Sequence, residues 1–277
     1  TNTTISGNNI SDTHVIAMNW DGFTFTSGGD AINVGYGSNS NTVFNNTVST
    51  VTPGLEAAVG IHLNPGCNTN NVLSNRISGC NDGVRLDSGS NGNVVRSNVI
   101  SDCMANGIAV WQSDNNDILQ NSVYNCGTGI DVNAPGCQNE IGRSGAGNTV
   151  HNCGEGIKVS NSWDEYVVAN TVYDCGVAIY LTGSNNIWVQ KNVTFFRVGA
   201  VDVGNLVGIW VENSDNNRLG ANNIKNNAMG IQLTGDSGWN EIRANDIRSN
   251  NLGGGGGIMV YDTVIGTNVR SKNKSGN

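Results

Sequence analysis

Asp87 and Asp131 lie two sequence repeats apart, each beside a short apolar run that opens on Gly, and each has a cation in a neighbouring register: Arg85 two residues before Asp87, and Lys158 one repeat after Asp131. If the repeats stack as parallel strands, two coils separate the carboxylates by roughly 9 to 10 Å. That is near the upper limit for an acid and a base that leave room for water in inverting glycoside hydrolysis. One would serve as acid and the other as base. Lys158 would lower the pKa of Asp131, while Arg85 would orient substrate or do the same for Asp87. Trp111, Tyr180 and Trp210 fall on the same outward face, with His62 and Glu212 beside them and Trp163, Asp164 and Glu165 near the rim. Aromatic platforms among carboxylates suit a sugar chain, whose ring faces stack on aromatics while its hydroxyls bond polar groups. Asp131 with Lys158, and Arg85 with Asp87, equally describe surface ion pairs on a solvated sheet, each contributing little. His62 reads as a catalytic base or as a solvated histidine at the groove edge.

The elements that must position these residues are written as a repeat. The strands are AINV from Ala31, GIHL from Gly60, GVRL from Gly83, GIAV from Gly107, GIDV from Gly129, GIKV from Gly156, AIYL from Ala178, GIWV from Gly208, GIQL from Gly230 and GIMV from Gly257. A period of 22 to 23 residues, broken only by insertions, marks a solenoid. Three apolar alternations per unit, separated by Asn, Gly and Ser, give three short strands per coil and three parallel sheets. In Gly-Ile-x-Val, Ile and Val point inward, so x and the residue two later face out. One outward column then runs His62, Arg85, Ala109, Asp131, Lys158, Tyr180, Trp210, Gln232 and Met259; the other runs Asn64, Asp87, Trp111, Asn133, Ser160, Thr182, Glu212, Thr234 and Tyr261. The spacing from the coil Asn to the next Gly is usually eight or nine residues, but reaches 14 from Asn46, 16 from Asn192 and 12 from Asn245. Those insertions would wall a groove beside this face.

Two further columns read as structural. Asn46, Asn75, Asn98, Asn121, Asn148, Asn170, Asn192, Asn222 and Asn245 recur at one bend, where stacked amides hydrogen-bond one another. Cys80, Cys103, Cys126, Cys153 and Cys175 each follow such an Asn by five residues and suit a column of small buried hydrophobes. Without accompanying His or CxxC spacing they do not suggest a metal site. Cys67 and Cys137 sit in similar NPGC and APGC turns, too far apart to bridge.

A formal charge of -8 with only 14 Lys and Arg argues against nucleic acid and anionic membrane surfaces. The sequence has no apolar run of the length, about 18 residues, that membrane insertion needs. Many Gly, Asn, Ser and Thr with few charged residues suit an extracellular or cell-surface protein. A solenoid adds core by stacking, so residues 1–277 read as one domain. Repeat segments reach both ends without a capping helix, as expected of a fragment with flanking domains or of coils that stack end to end. No cofactor is expected; the Asp-rich turn Ser113 to Asp117 offers oxygen ligands for Ca2+, though solvated turns explain it as well.

The 22-residue unit with its Asn column resembles the pectin-lyase-like superfamily of right-handed parallel β-helices, and in particular its NosD-like repeat class, over nearly the whole chain. The resemblance implies an all-β, right-handed parallel β-helix of about ten to eleven three-strand coils. Such helices include hydrolases, lyases, epimerases, tailspikes and non-enzymatic surface proteins, so fold alone leaves function open. The signature motifs of polygalacturonases and the Asp-Pro-His motif of alginate epimerases do not occur. The residues therefore point to a secreted polysaccharide hydrolase or lyase acting on the outward Gly-Ile-x-Val face, or else to a non-catalytic surface, fibre or glycan-binding helix.

Overall fold

The computed structural model describes residues 2–11, 30–49, 59–136, 138–197, 206–250, 256–261 and 266–269. Within them the chain winds as a right-handed parallel β-helix of three sheets, A, B and C, with 11, 9 and 10 strands. Nine coils carry all three strands, a tenth has strands in A and C, and Asn268–Val269 begins another. That is slightly fewer complete coils than the repeat count suggests. Among the described residues no helix is long and apolar enough to cross a membrane.

Every strand pair is parallel and in repeat register; in sheet C, Ile61 pairs with Val84, Ile108 with Ile130, and Ile157 with Ile179. The inward Ile, Val and Leu of the three sheets form one continuous core along the axis. Eight of the ten sheet C motifs open on Gly, which is set by close packing against the core and the neighbouring coil. A Cβ on Gly107 would lie 2.2 Å from Val123 Cγ1 and 2.6 Å from the Gly129 carbonyl oxygen, so no side chain fits.

The coil Asn side chains form the expected ladder. Each Nδ2 donates to the Oδ1 of the next Asn, as Asn98 to Asn121 (3.0 Å) and Asn121 to Asn148 (3.0 Å), and that same Oδ1 accepts the previous Asn's backbone N–H. A second ladder at the corner between sheets C and A escaped the sequence reading: Asn41, Asn70, Asn93, Asn116 and Asn139. Glu165 takes the next rung. Its carboxyl accepts from the Asn139 backbone (2.6 Å) and amide (3.0 Å), fully buried, so it is an interior group rather than part of the groove rim. Burial pushes its pKa up to about 8 against the bonds from Asn139.

The cysteine column is buried and unbridged. Each thiol donates to the carbonyl two residues earlier, as Cys126 to Tyr124 (3.3 Å). Cys137 lies outside the described residues. On the outer face of sheet B, Tyr124, His151, Tyr173 and Phe195 stack ring on ring at 5.0, 4.7 and 5.0 Å.

Candidate functional site

Sheet C aligns the first outward column: His62 pairs with Arg85, Arg85 with Ala109, Ala109 with Asp131, Asp131 with Lys158, Lys158 with Tyr180, and Tyr180 with Trp210. The column is less exposed than alternation alone implies, because long side chains fold over short neighbours. Ala109 is fully covered, and Asn64 and Ser160 of the second column are buried as well. The inserted segments expected to wall the groove fall largely in 50–58, 198–205 and 251–255, outside the described residues.

His62 is neither solvated nor available as a base. Its Nδ1 lies 2.7 Å from Asp30 Oδ2 and its Nε2 2.9 Å from Asp87 Oδ2, with the ring only 13% exposed and Asp30 only 4%. Burial opposes charging the ring, but the hydrogen bonds and charges of Asp30 and Asp87 outweigh it and raise the pKa to about 9. Asp30 was invisible to a count from the Gly-Ile motif, since it belongs to a third column, that of the residue preceding the Gly or Ala, shared with Asp82 and Glu155. An acid directly before the motif was the available signal.

His62 stabilises the fold below pH 6.5, its unfolded pKa, and the contribution is lost as pH rises through about 9. The shift corresponds to about 3 kcal/mol. His62→Gln is expected to lower the urea unfolding free energy by about that amount at pH 6, with the gap to wild type closing between pH 6.5 and 9. An equal loss at pH 6 and pH 10 would contradict the clamp.

Asp87 is the ionised member of the site. Burial alone would raise its pKa, but hydrogen bonds and charge from His62 and Arg85 hold it below the usual carboxylate range. Arg85 Nε donates to Asp87 Oδ1 at 2.8 Å, its Nη1 lies 3.9 Å from Asp82, and its guanidinium stacks 4.0 Å from the Trp111 ring centroid. One face of Trp111 is therefore already covered.

Asp131 behaves in the opposite way, and the expected effect of Lys158 does not dominate. Lys158 pairs instead with Glu155 at 3.0 Å and leans toward Tyr180, 5.7 Å from its ring centroid. Asp131 Oδ1 is buried with no hydrogen-bond partner among the described residues. Desolvation raises its pKa to about 6, assisted by Glu155 and Asp82 and only partly countered by Lys158. Beyond it, Tyr180 donates to Glu212, which together with burial raises the phenol to about 12. Trp210 Nε1 donates to Thr234 Oγ1 at 2.8 Å, and the Tyr180 and Trp210 rings pack 4.9 Å apart at 30°.

The face thus brings together His62, Arg85, Asp87 and Trp111 in one cluster and Asp131, Lys158, Tyr180, Trp210 and Glu212 in the next. Trp163 is separate: it bridges Asn185 at the corner leaving sheet C and is 41% exposed. In the turn proposed for calcium, Asn116 belongs to the second ladder and Asp117 pairs with Arg143 at 2.6 Å. Among the described residues no three His, Cys, Asp or Glu side chains are arranged to hold a metal ion.

The sequence profile described as "Periplasmic copper-binding protein (NosD)" matches residues 1–198 and 146–269. No curated protein matches by sequence. Among solved structures, a periplasmic alginate epimerase AlgG mutant is similar with a TM-score of 0.69 and 17% identity, over 88% of this chain and 62% of that one. The A-module of mannuronan C-5 epimerase AlgE6 from Azotobacter vinelandii is similar at TM-score 0.65 and 13% identity, over 91% and 80%. The Dettilon tailspike protein aligns at 0.66 and 14%, over 94% and 60%. At these identities the likeness is one of fold, and the chain spans only about three fifths of AlgG's length.

Proposed function

The chain belongs to the NosD family, and from that premise we propose that it is an extracytoplasmic, carbohydrate-active enzyme cleaving a polysaccharide on the outer face of sheet C. The carrying observation is that two carboxylates two strands apart are pushed in opposite directions: Asp131 up to about 6, Asp87 down. Separated pKa values assign acid and base; the register sets Asp87 two coils before Asp131 and two residues farther along the strand, a separation of at least roughly 9 to 10 Å that is too wide for a nucleophilic pair and leaves room for a water, as inversion requires. The carbohydrate polymers in the names of the alginate and mannuronan epimerases support the substrate class.

In this reading Asp131 protonates the glycosidic oxygen as its bond to the anomeric carbon breaks. Asp87 takes a proton from the water whose oxygen bonds to that carbon, and both carboxyls reset by exchange with solvent. His62 and Arg85 keep Asp87 ionised and aimed; each of its oxygens retains a lone pair for the water. Tyr180 and Trp210, with Trp111, offer ring edges and the remaining faces to sugar units, and Glu212 is held by Tyr180 for hydroxyl contacts. Trp163 lies off this path.

The family description names copper, and the described side chains do not fit it. Both nitrogens of His62 are engaged by carboxylates. His151 is sandwiched between two tyrosine rings, with burial holding its pKa down. In the thiol column, the preceding Cys lowers Cys126 and Cys153, but the following one (Cys153 and Cys175 respectively) and burial outweigh it and raise each to about 12, whereas copper favours thiolate. No step here runs through a metal.

Incubation with a panel of neutral and acidic polysaccharides, with products read by mass spectrometry and proton NMR, tests the reading. Shortened chains that gain one water and carry an inverted anomer are expected. Unsaturated product ends would replace hydrolysis with elimination and retire the acid and base roles, and no shortening of any polymer would remove the enzyme reading.

A further inference from the structure

The corner between sheets C and A carries an outward column of residues in the left-handed region, among them Thr69 (φ 54°), Asn115 (57°), Gln138 (72°), Asp164 (60°), Asn186 (59°) and Asn216 (57°). Asn and Asp tolerate this conformation, since a short polar side chain relieves it locally. The next coil places Trp239 there at φ 56°. The corner imposes this backbone conformation in every coil, so what sets Trp239 apart is its side chain: a bulky aromatic is a costly choice in this region, and here the indole is 65% exposed.

The ring is nevertheless held in place. Gly266, next in the column at φ 69°, leaves the space: a Cβ there would lie 2.8 Å from Trp239 Cε3. Trp239 closes one end of a surface cleft of about 480 Å³ that runs past Asn216 and Asn186 to Asp164, with Trp188, Arg218 and Glu241 along its side. Trp188 and Arg218 are neighbours in sheet A, and the guanidinium lies 4.6 Å from the indole centroid, which fixes its plane. The side chains of Asp164, Asn186 and Asn216 make no hydrogen bond to other described residues, so a row of donors and acceptors at strand spacing, about 4.8 Å, faces the cleft.

We infer that this cleft is a second binding site, taking a neutral oligosaccharide with a pyranose ring on Trp239 and its hydroxyls on Asp164, Asn186 and Asn216. An aromatic platform beside amide and carboxylate groups matches a ring with one apolar face and a polar rim. Glu241 is paired with Arg243 at 3.7 Å, which leaves Asp164, at the far end of the row of amides, as the charge that disfavours uronate or sulfated sugars there. The site lies along the corner between sheets C and A, off the outer face of the sheet C strand that carries Asp131, and does not depend on the chemistry proposed there.

The test is titration of the intact chain with cellohexaose, maltohexaose and mannohexaose, and with a galacturonate hexasaccharide, followed by tryptophan fluorescence and calorimetry. At least one neutral hexasaccharide is expected to bind saturably and more tightly than the acidic one. Trp239→Gly should weaken that binding at least tenfold while its thermal midpoint stays equal or rises, since Gly adopts this φ freely. Trp239→Asn should behave alike, and Asp131→Asn should bind as wild type even where turnover is lost. Absence of neutral binding, preference for the acidic sugar, or unchanged affinity in both Trp239 variants would overturn the inference.

Discussion

Asp131→Asn is expected to reduce polysaccharide turnover by a factor of about 10² to 10⁴, the usual contribution of a positioned general acid, while the folded protein gains stability above pH 6. The two effects share one cause. Asp131 carries a buried oxygen without a partner, and desolvation raises its pKa from 3.8 to about 6. The folded state therefore binds more protons than the unfolded state between those values, so stability falls as pH rises through that window and the cost is complete above it. The shift of about two units corresponds to roughly 3 kcal/mol as an upper figure. The Asn variant lacks this titration, so its unfolding free energy should decline less steeply than that of wild type between pH 4 and 6, the difference widening across that window. In wild type, kcat/KM should fall as pH rises past about 6, as the acid loses its proton. Steady-state rates across pH with parallel urea unfolding check both. Full activity in the variant would end the assignment of Asp131, and an unchanged stability profile would show that its carboxyl is better solvated than the geometry implies.

Asn121→Ala is expected to cost about 3 to 5 kcal/mol, the largest stability effect of a single truncation in the turns. Asn121 is buried, its Oδ1 accepts from the Asn98 backbone and amide (3.0 Å each), and its Nδ2 donates to the Val95 carbonyl (2.9 Å) and to Asn148 Oδ1 (3.0 Å). Alanine leaves the Asn98 backbone N–H and side-chain amide without their acceptor where water does not reach, and takes one donor from the Val95 carbonyl. Because each coil contacts chiefly its neighbours, the loss should appear in hydrogen exchange as local opening of the coils around Asn98 and Asn148. Arg96→Ala, on the exposed side of the same strands, should change stability by no more than about 0.5 kcal/mol. Similar losses for the two variants would mean that the ladder contributes no more than a surface contact.

The repeat made the register legible. Counting from each Gly-Ile placed His62, Arg85, Asp131, Lys158, Tyr180 and Trp210 in one column, and the structure aligns them in that order. It also found the ladder that Asn121 belongs to. The partners within the column were not legible. Lys158 could reach Asp131 or Glu155, and only the direction of its side chain selects Glu155. Asp30 joined His62 from the position before the motif, one coil earlier. Glu165, counted as a rim residue, turned inward because its position coincides with the second Asn ladder. Trp239 carries no signal in the repeat, since sequence does not display a φ angle.

By itself the sequence determined the coil, the three sheets, the interior columns and which residues share the outer face of sheet C, because period and alternation are properties of backbone geometry that every repeat restates. The tertiary structure alone decided which carboxylate is held charged and which is pushed toward protonation. That depends on burial and on charges brought from neighbouring coils, as Asp30 and Asp87 are to His62, and Glu155 and Asp82 to Asp131. Spacing along one chain fixes who stands beside whom; desolvation is set by everything packed around them.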